Sequence, residues 1–507
     1  MKTALLLALI MSPVMALGAL VDPKLQNFAR GQNGTVRVMA LMELPPANQL
    51  PSRADSVIVR KFLRQATATA FKALKKDLQE SVRRGDIRVK NIFSINLSFT
   101  ADVNPAGLRA MATAEGLTKI YADGEISYAM PLRKQYVPGR FTESIPYDIQ
   151  AMGLDKLWKE NPEIIGTGVL VGHIDTGVDG KHPALAGKIA AFYDASRDRL
   201  AEPFDADEHG SHTAGTVLGS PQSGLPLGVA PGARLISSAA LSGYDHMLKA
   251  MEFMLDPDKN PDTNDQPRLV TNSWHAGGAP DMEAFYRAIN AWEAAGILTI
   301  FSAGNSGPRP GSITRPKEHP QAFAVAATGP GGQIASFSSR GPAMYQGKEI
   351  AKPDLSAPGV DIVSTVPGGK MAAMSGTSMA APHVAGLAAL LYQIEPNLTP
   401  QKMRELMLRS ADFVDVNGQS INEPRWNANF GFGHANAYKA VNNLKKLRGS
   451  QERRWGNFMI APAMEIMEGV QNIAVKAQED LMGFSETSTL FQSFPTQSEQ
   501  WIDGASL

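Results

Sequence analysis

Short apolar runs that alternate with helical stretches constrain the fold of this chain more than any other feature. Between about residues 152 and 440, Val169-Leu170-Val171, Leu269-Val270, Ile297-Leu298-Thr299-Ile300-Phe301 and Phe323-Ala324-Val325-Ala326 recur between helical segments. A strand that is apolar without alternation is buried on both faces, and intervening helices supply the crossovers that parallel strands need. The expectation is an α/β fold: a mostly parallel sheet with helices on both faces. In such folds functional groups gather at the carboxyl ends of the strands.

Four strings sit where that sheet would present them. The run ending at Ile174 leads into Asp175-Thr176-Gly177, a carboxylate at a strand end that can orient a histidine. Glu208-His209-Gly210-Ser211-His212-Thr213-Ala214-Gly215 offers an imidazole before small residues that let a helix pack tightly. Two histidines at this spacing could suggest a metal, but no cysteine and no His-Glu pair of the zincin kind completes a site. Ile300-Phe301-Ser302-Ala303-Gly304-Asn305 places an amide at the end of a buried strand, where it can donate to a developing oxyanion. Ser375-Gly376-Thr377-Ser378-Met379-Ala380-Ala381-Pro382-His383 is the sharpest signal. Gly376 permits a tight turn, and Ser378 falls at the positive end of a helix. Pro382 is tolerated best in a first turn and is expected to mark where that helix begins. Taken singly, such an Asp, His or Asn is more often a turn former, a structural side chain or a loop residue.

The flanks differ from this core. Residues 20 to about 130 suggest a separate α+β unit of roughly 100 residues, an ordinary size for a small domain. Its elements are a strand at 36–42, a long basic-leaning helix over 54–84, and an alternating half-buried strand over 93–99. A short helix over 106–115 and a strand over 117–121 complete it. Before it, Met1-Lys2-Thr3, an apolar run over 4–11 and small residues near Ala16-Leu17-Gly18-Ala19 read as a secretory signal peptide. That run is shorter than the roughly 20 apolar residues a spanning helix needs, and no later stretch reaches them, so no transmembrane segment is expected. Past Lys446, the residues Ile466, Val470, Ile473, Ala477 and Leu481 share one helical face that could dock on the body, on a partner or on a membrane surface, docking on the body being the plainest reading.

Composition excludes some functions. The 507 residues carry 49 Lys+Arg against 49 Asp+Glu, which argues against holding nucleic acid by bulk charge. There is no cysteine, so disulfides, a thiolate nucleophile and thiolate metal sites are all ruled out.

The four strings, in the chain order Asp, His, Ser, resemble the subtilase family of serine proteases. Supporting strings are Gly228-Val229-Ala230-Pro231, Phe337-Ser338-Ser339-Arg340-Gly341-Pro342 and Lys352-Pro353-Asp354-Leu355-Ser356-Ala357-Pro358-Gly359. Asn272-Ser273-Trp274 and Pro310-Gly311-Ser312-Ile313 look most like the bacillopeptidase F branch. The resemblance covers about residues 145–440. It implies a secreted serine endopeptidase acting on polypeptides, with Ser378 as nucleophile, His209 as base and Asp175 orienting the imidazole. Asn305 and the N–H of Ser378 would stabilise the oxyanion. Ser242 and Gly243, and Ser273 and Trp274, match two edge segments that bind substrate as an extended strand. Thr314 and Arg315 would shape the primary specificity pocket, where an Arg would favour an acidic side chain. His383 is implied to be structural. His173 and His275 depart from the pattern, the first standing where relatives carry an apolar residue, outside the triad.

The resemblance also gives the organisation: signal peptide 1–19, propeptide 20–135 acting as intramolecular inhibitor and foldase, catalytic domain 136–445, and a carboxyl-terminal extension 446–507. Self-cleavage is expected between Ala129 and Glu143, around Arg133 to Arg140. Parallel sheets fold slowly, which makes a folding template physically reasonable. No cofactor is required. The family's calcium site draws on a side chain where this chain has Ala184, and the partner loop 220–224 offers weak ligands. A second loop, 256–262, has hard oxygen ligands at alternate positions, though solvated Asp-Pro turns are commoner than calcium sites. Two rival readings stand beside the peptidase: an inert homologue that binds peptides, and a surface or assembly protein working through its carboxyl-terminal extension.

Overall fold

The computed structural model describes residues 19–30, 33–45, 55–128, 134–137, 145–222, 225–240, 242–277 and 282–449. The expected signal peptide proper and the helical face from Ile466 to Leu481 lie outside these residues. The described chain divides into two compact units: one from residues up to 44 and 65–123, the other from 45–64 and 124 onward.

The first unit is a five-stranded sheet carrying helices. Its strands are β1 (Leu20–Val21), β2 (Val36–Met42), β3 (Ile87–Phe93), β4 (Ser98–Val103) and β5 (Leu117–Ala122), in the order β1-β5-β2-β4-β3. The helices are α1 (Pro23–Ala29), α2 (Ser56–Arg83), whose first turns group with the second unit, and α3 (Pro105–Thr113). Asn104 caps α3 by accepting from Gly107 N at 2.8 Å, and Pro105 takes the first position, where its missing N–H costs nothing. The single strand expected over 93–99 is instead a hairpin. β3 ends at Phe93, residues 94–97 turn, and β4 pairs back antiparallel with Phe93 opposite Ser98. Ile95 and Leu97, which suggested alternation, are buried in that turn, and Leu97 takes a left-handed φ of 51°.

The second unit is built on an eight-stranded sheet in the order β10-β9-β11-β8-β12-β14-β15-β18. Before it come β6 (Glu125–Tyr128), β7 (Lys134–Val137), α4 (Tyr147–Ala151) and α5 (Leu154–Glu160). The sheet strands are β8 (Leu170–Asp175), β9 (Ile189–Asp194), β10 (Arg199–Leu200), β11 (Arg234–Ala239), β12 (Leu269–Asn272), β14 (Leu298–Ser302), β15 (Ala322–Thr328) and β18 (Leu355–Pro358). Every neighbouring pair is parallel except β10 with β9. All residues of β12, β14 and β15 are buried, so both faces of the sheet are covered, as their unbroken apolar runs require.

The helices are α6 (His209–Leu218), α7 (Tyr244–Leu255), α8 (Glu283–Ala294), α9 (Thr377–Ile394), α10 (Pro400–Arg409) and α11 (Ala437–Gly449). Smaller pairings are β13 (Trp274–Gly277) with β6, the hairpin β16 (Ala343–Tyr345) with β17 (Lys348–Ile350), and the sheet β19 (Ile362–Val366), β20 (Lys370–Met374), β7. Helix α9 is apolar almost all round and correspondingly buried, packing on α6 and on β12, β14, β15 and β18. It begins at Thr377, so Pro382 is its sixth residue and lies past the first turn, contrary to the expectation from sequence.

Candidate active site

The four motif residues fall at the strand ends and helix starts of one rim. Asp175 is the last residue of β8, and Asn305 follows β14 by three residues. His209 is the first residue of α6, and Ser378 the second of α9. Gly210 lets α6 close onto the end of β8: a Cβ there would lie 2.1 Å from the Gly177 carbonyl oxygen, an impossible contact. Any side chain at 210 would push His209 away from Asp175.

His209 Nδ1 and Asp175 Oδ1 are 2.7 Å apart, both fully buried. Oδ1 also accepts from Thr176 N at 2.7 Å. Burial by itself would push the His209 imidazole down. The Asp175 charge and hydrogen bond, with Asp205 and Asp207 behind them, outweigh burial and raise it above its ordinary 6.5. The same balance holds the Asp175 carboxyl below its ordinary value, His209 overcoming the cost of burial. His212 is engaged elsewhere: its Nε2 donates to Ile362 O and Ala372 O, and burial drives it down to about 3. His383 is structural, with Nδ1 donating to Met379 O and Nε2 3.1 Å from Asp148 of α4.

Asn305 is fixed by Thr377. Its Oδ1 accepts from Thr377 N at 2.9 Å and from Thr377 Oγ1 at 2.8 Å, which leaves Nδ2 as the free end. Nδ2 is buried and has no hydrogen-bond partner. A methyl built on Gly376 would lie 3.2 Å from that Nδ2 and 3.7 Å from Ser378 N. The glycine therefore keeps open a small gap onto which two N–H donors converge.

Ser378 Oγ donates to the Ser273 carbonyl at 3.5 Å rather than to His209. The Asp–His pair is thus made, while the Ser–His link still has to tighten, as is common before substrate binds. Ser273 Oγ in turn donates to Ser378 O at 3.1 Å. That carbonyl would otherwise look to the N–H of residue 382, which proline lacks.

Part of the expected substrate set, Trp274 and the residue after Gly243, meets the chain at 124–128. Trp274 of β13 pairs antiparallel with Tyr128 of β6, His275 with Ser127 and Ala276 with Ile126. On the other side, Tyr244 N, next to Gly243, donates to Gly124 O at 3.2 Å. One edge segment thus pairs with residues 125–128, and the other meets the chain at Gly124. Trp274 is fully buried, so its backbone and not its ring faces β6. Ser242 is exposed and hydrogen-bonds His246. Arg315 joins the cleft through its carbonyl, which accepts from Ala276 N at 3.2 Å, while its half-exposed guanidinium is 3.9 Å from Glu318. Thr314 Oγ1 lies beside Gly304 and accepts from Lys317 Nζ at 2.9 Å. Sequence reading missed Lys317, a buried ammonium that burial pushes down to about 7. Only its place two residues past Arg315 could have signalled it.

At the acidic loop, Asp256, Asp258 and Asp265 bring one oxygen each within 4.8 Å of the others. Arg60 Nη1 lies 3.1 Å from Asp265 and 3.4 Å from Asp256, and Arg64 also bonds Asp256. These guanidinium groups offset part of the charge of the carboxylates.

A parallel sheet with an Asp–His pair, a serine at a helix start and two convergent N–H donors at its rim defines the subtilisin-like class of serine proteases. The Subtilase family pattern matches residues 166–433. Bacillopeptidase F of Bacillus subtilis (strain 168) is 34% identical over 388 residues, which are 68% of this chain and 26% of that protein. Serine protease AprX of the same organism is 30% identical over 397 residues, 72% of this chain and 84% of that one. The crystal structure of fervidolysin from Fervidobacterium pennivorans, described as a keratinolytic enzyme related to subtilisin, has a TM-score of 0.61 at 21% identity. It covers 85% of this chain and 64% of fervidolysin. The chain thus spans about a quarter of Bacillopeptidase F and most of AprX. It belongs to the subtilase family.

Proposed function

We propose that this chain is a secreted serine endopeptidase made as a self-processing zymogen. The observation that carries the reading is the buried, partnerless Asn305 Nδ2 converging with Ser378 N on the gap beside Gly376. A buried donor left unsatisfied costs stability, and an oxyanion that forms only during reaction explains its retention. His209 takes the Ser378 proton as Oγ attacks the peptide carbonyl, and Asp175 stabilises the imidazolium without taking a proton. His209 then gives that proton to the leaving amine, and water hydrolyses the acyl-enzyme through the same base.

The pairing of β6 on β13 supports the zymogen reading, because 125–128 takes the place of an extended substrate. Tyr128 is opposite Trp274, one residue from Ser273, whose carbonyl meets Ser378 Oγ. β7 already pairs with β20. On this reading the cut falls between Ala129 and Lys134, within the amino-terminal part of the window expected from sequence.

The test is intact-mass analysis of wild type and Ser378→Ala, each treated with a fluorophosphonate. Wild type should lose the residues before the cut and gain one adduct, and Ser378→Ala should do neither. Wild type that stays whole and unlabelled would put the inert peptide-binding reading in its place.

A further inference from the structure

We infer that His173 and Thr213 are positioning residues for the Asp175–His209 pair, forming a buried hydrogen-bond chain that ends on the far oxygen of Asp175. The inference rests on the triad reading proposed above. It starts from spacing. His173 and Asp175 are two apart on β8, so their side chains share a face. His209 and Thr213 are four apart on α6 and share a stripe. The two pairs meet edge to edge. His173 Nε2 lies 2.8 Å from Thr213 Oγ1, and Nδ1 lies 2.9 Å from Ser237 Oγ on β11. Thr213 Oγ1 lies 3.3 Å from Asp175 Oδ2. All four side chains are buried.

The direction of each bond follows from counting protons. Asp175 Oδ1 already accepts from His209 and Thr176. Among the described residues the donor available to Oδ2 is the Thr213 hydroxyl. That single hydrogen can also reach Gly210 O, at 3.1 Å. A buried carboxylate oxygen is the stronger acceptor and would otherwise have no donor. With its hydrogen given to Asp175, Thr213 Oγ1 must accept from His173 Nε2–H. His173 Nδ1 is then the acceptor for the Ser237 hydroxyl. Burial pushes the His173 imidazole down and keeps it neutral, as one donor and one acceptor nitrogen require. The chain runs Ser237, His173, Thr213, Asp175, with His209 on the other oxygen. A feature that looked like a departure outside the triad is thus the layer behind it.

The function is to hold Asp175 in one rotamer and to share its charge. Removing the donor to Oδ2 leaves more charge facing His209, so the imidazolium is held more tightly. The other ionisable groups facing His209 are Asp205 and Asp207, ahead of α6, and His173 and His212; a change at Thr213 leaves all four in place.

The experiment compares full-length wild type with Thr213→Val, Thr213→Ser, His173→Val and the double Val variant. It reads kcat, KM and their pH profiles, and titrates the His209 ring by NMR. Thr213→Val should lower kcat about tenfold, the size of one hydrogen bond to a charged group, with KM changed by less than about twofold. Its acid limb should move to higher pH. Thr213→Ser should restore both, and the double variant should be no worse than Thr213→Val, because members of one chain are not additive. A folded Thr213→Val with wild-type kcat and an unmoved His209 titration overturns the inference. So do fully additive effects. If Thr213→Val does not fold, Ser237→Ala at the far end of the chain carries the same test. The NMR titration needs no turnover, so an inert triad would sink the peptidase reading while this inference is still decided by the His209 shift.

Discussion

At the scale of single residues, Gly376 is the sharpest place to probe the reaction. Its φ of 169° is extended backbone that any residue adopts, so Gly376→Ala should fold without strain. The added methyl would sit 3.2 Å from Asn305 Nδ2, in the gap a developing oxyanion needs. Turnover should fall about 10²-fold, the lower end of what losing one such donor costs in subtilisin. The melting temperature should move by no more than about 2 °C, since 1 kcal/mol shifts a molecule of this size by only about 1–2 °C. Unchanged kcat in a folded Gly376→Ala protein would mean that this gap is not where the oxyanion forms. The pH profile gives a second residue-scale prediction. The base must be neutral to act, and His209 is raised above 6.5. Activity should therefore be full above that raised value and fail as pH falls through it, on the high side of 6.5. Asp175→Asn removes the largest of the effects that raise the imidazole and leaves burial opposed only by the more distant Asp205 and Asp207. The acid limb should then move below 6.5 while kcat falls roughly 10⁴-fold, the loss seen when a serine-protease triad loses its carboxylate charge. A kcat/KM profile of both proteins, measured at fixed ionic strength, decides it.

At the scale of elements, α9 links Ser378 to the segment that leads into β13. Pro382 removes the N–H that would bond Ser378 O, and Ser273 Oγ fills that place from the segment leading into β13. Ser273→Ala should leave a buried carbonyl unsatisfied and lower stability by about 1–3 kcal/mol. Turnover should fall with it, since the first turn of α9 holds both Ser378 and its N–H. Chemical denaturation and kcat, taken together, check the coupling; a stability loss with normal kcat would make Ser273 structural only. This element also marks what was legible from sequence. The string around Ser378 announced a glycine turn and a helix start, because those are local events. The role of Pro382 was misjudged, because the partner of its orphaned carbonyl lies 105 residues away. The same divide separates the other features. Asp175 and His209 could be read because each ends or begins its own element, and Asn305 because it follows its strand by three residues. The turn at 94–97 could not, because it is made without glycine or proline, with Leu97 in a left-handed conformation and apolar side chains turned inward. The acidic loop at Asp256 reads as a stretch of hard ligands, and nothing local tells that Arg60 would pair with it.

At the scale of the molecule, the pairing of β6 with β13 joins segments about 150 residues apart, and no local pattern sets that register. On the zymogen reading proposed above, this stretch lies on the edge where a substrate would lie, and an external peptide must compete with it. Ile126 is the buried anchor of the strand, opposite Ala276. Ile126→Asp would bury an unpaired charge, which costs several kcal/mol unless the strand lifts away. The consequence can be measured in a Ser378→Ala background, where no cutting interferes. A fluorescent peptide copying residues 122–130 should bind Ser378→Ala weakly, because the tethered strand holds the edge at a high effective concentration. Adding Ile126→Asp should raise its affinity at least about tenfold, as that competition is lifted. Salt should matter little, because the contact is a backbone ladder with an apolar anchor. Equal affinity in the two proteins would mean that β6 does not guard the cleft, and the zymogen reading would lose its physical basis even if Ser378 is fully reactive.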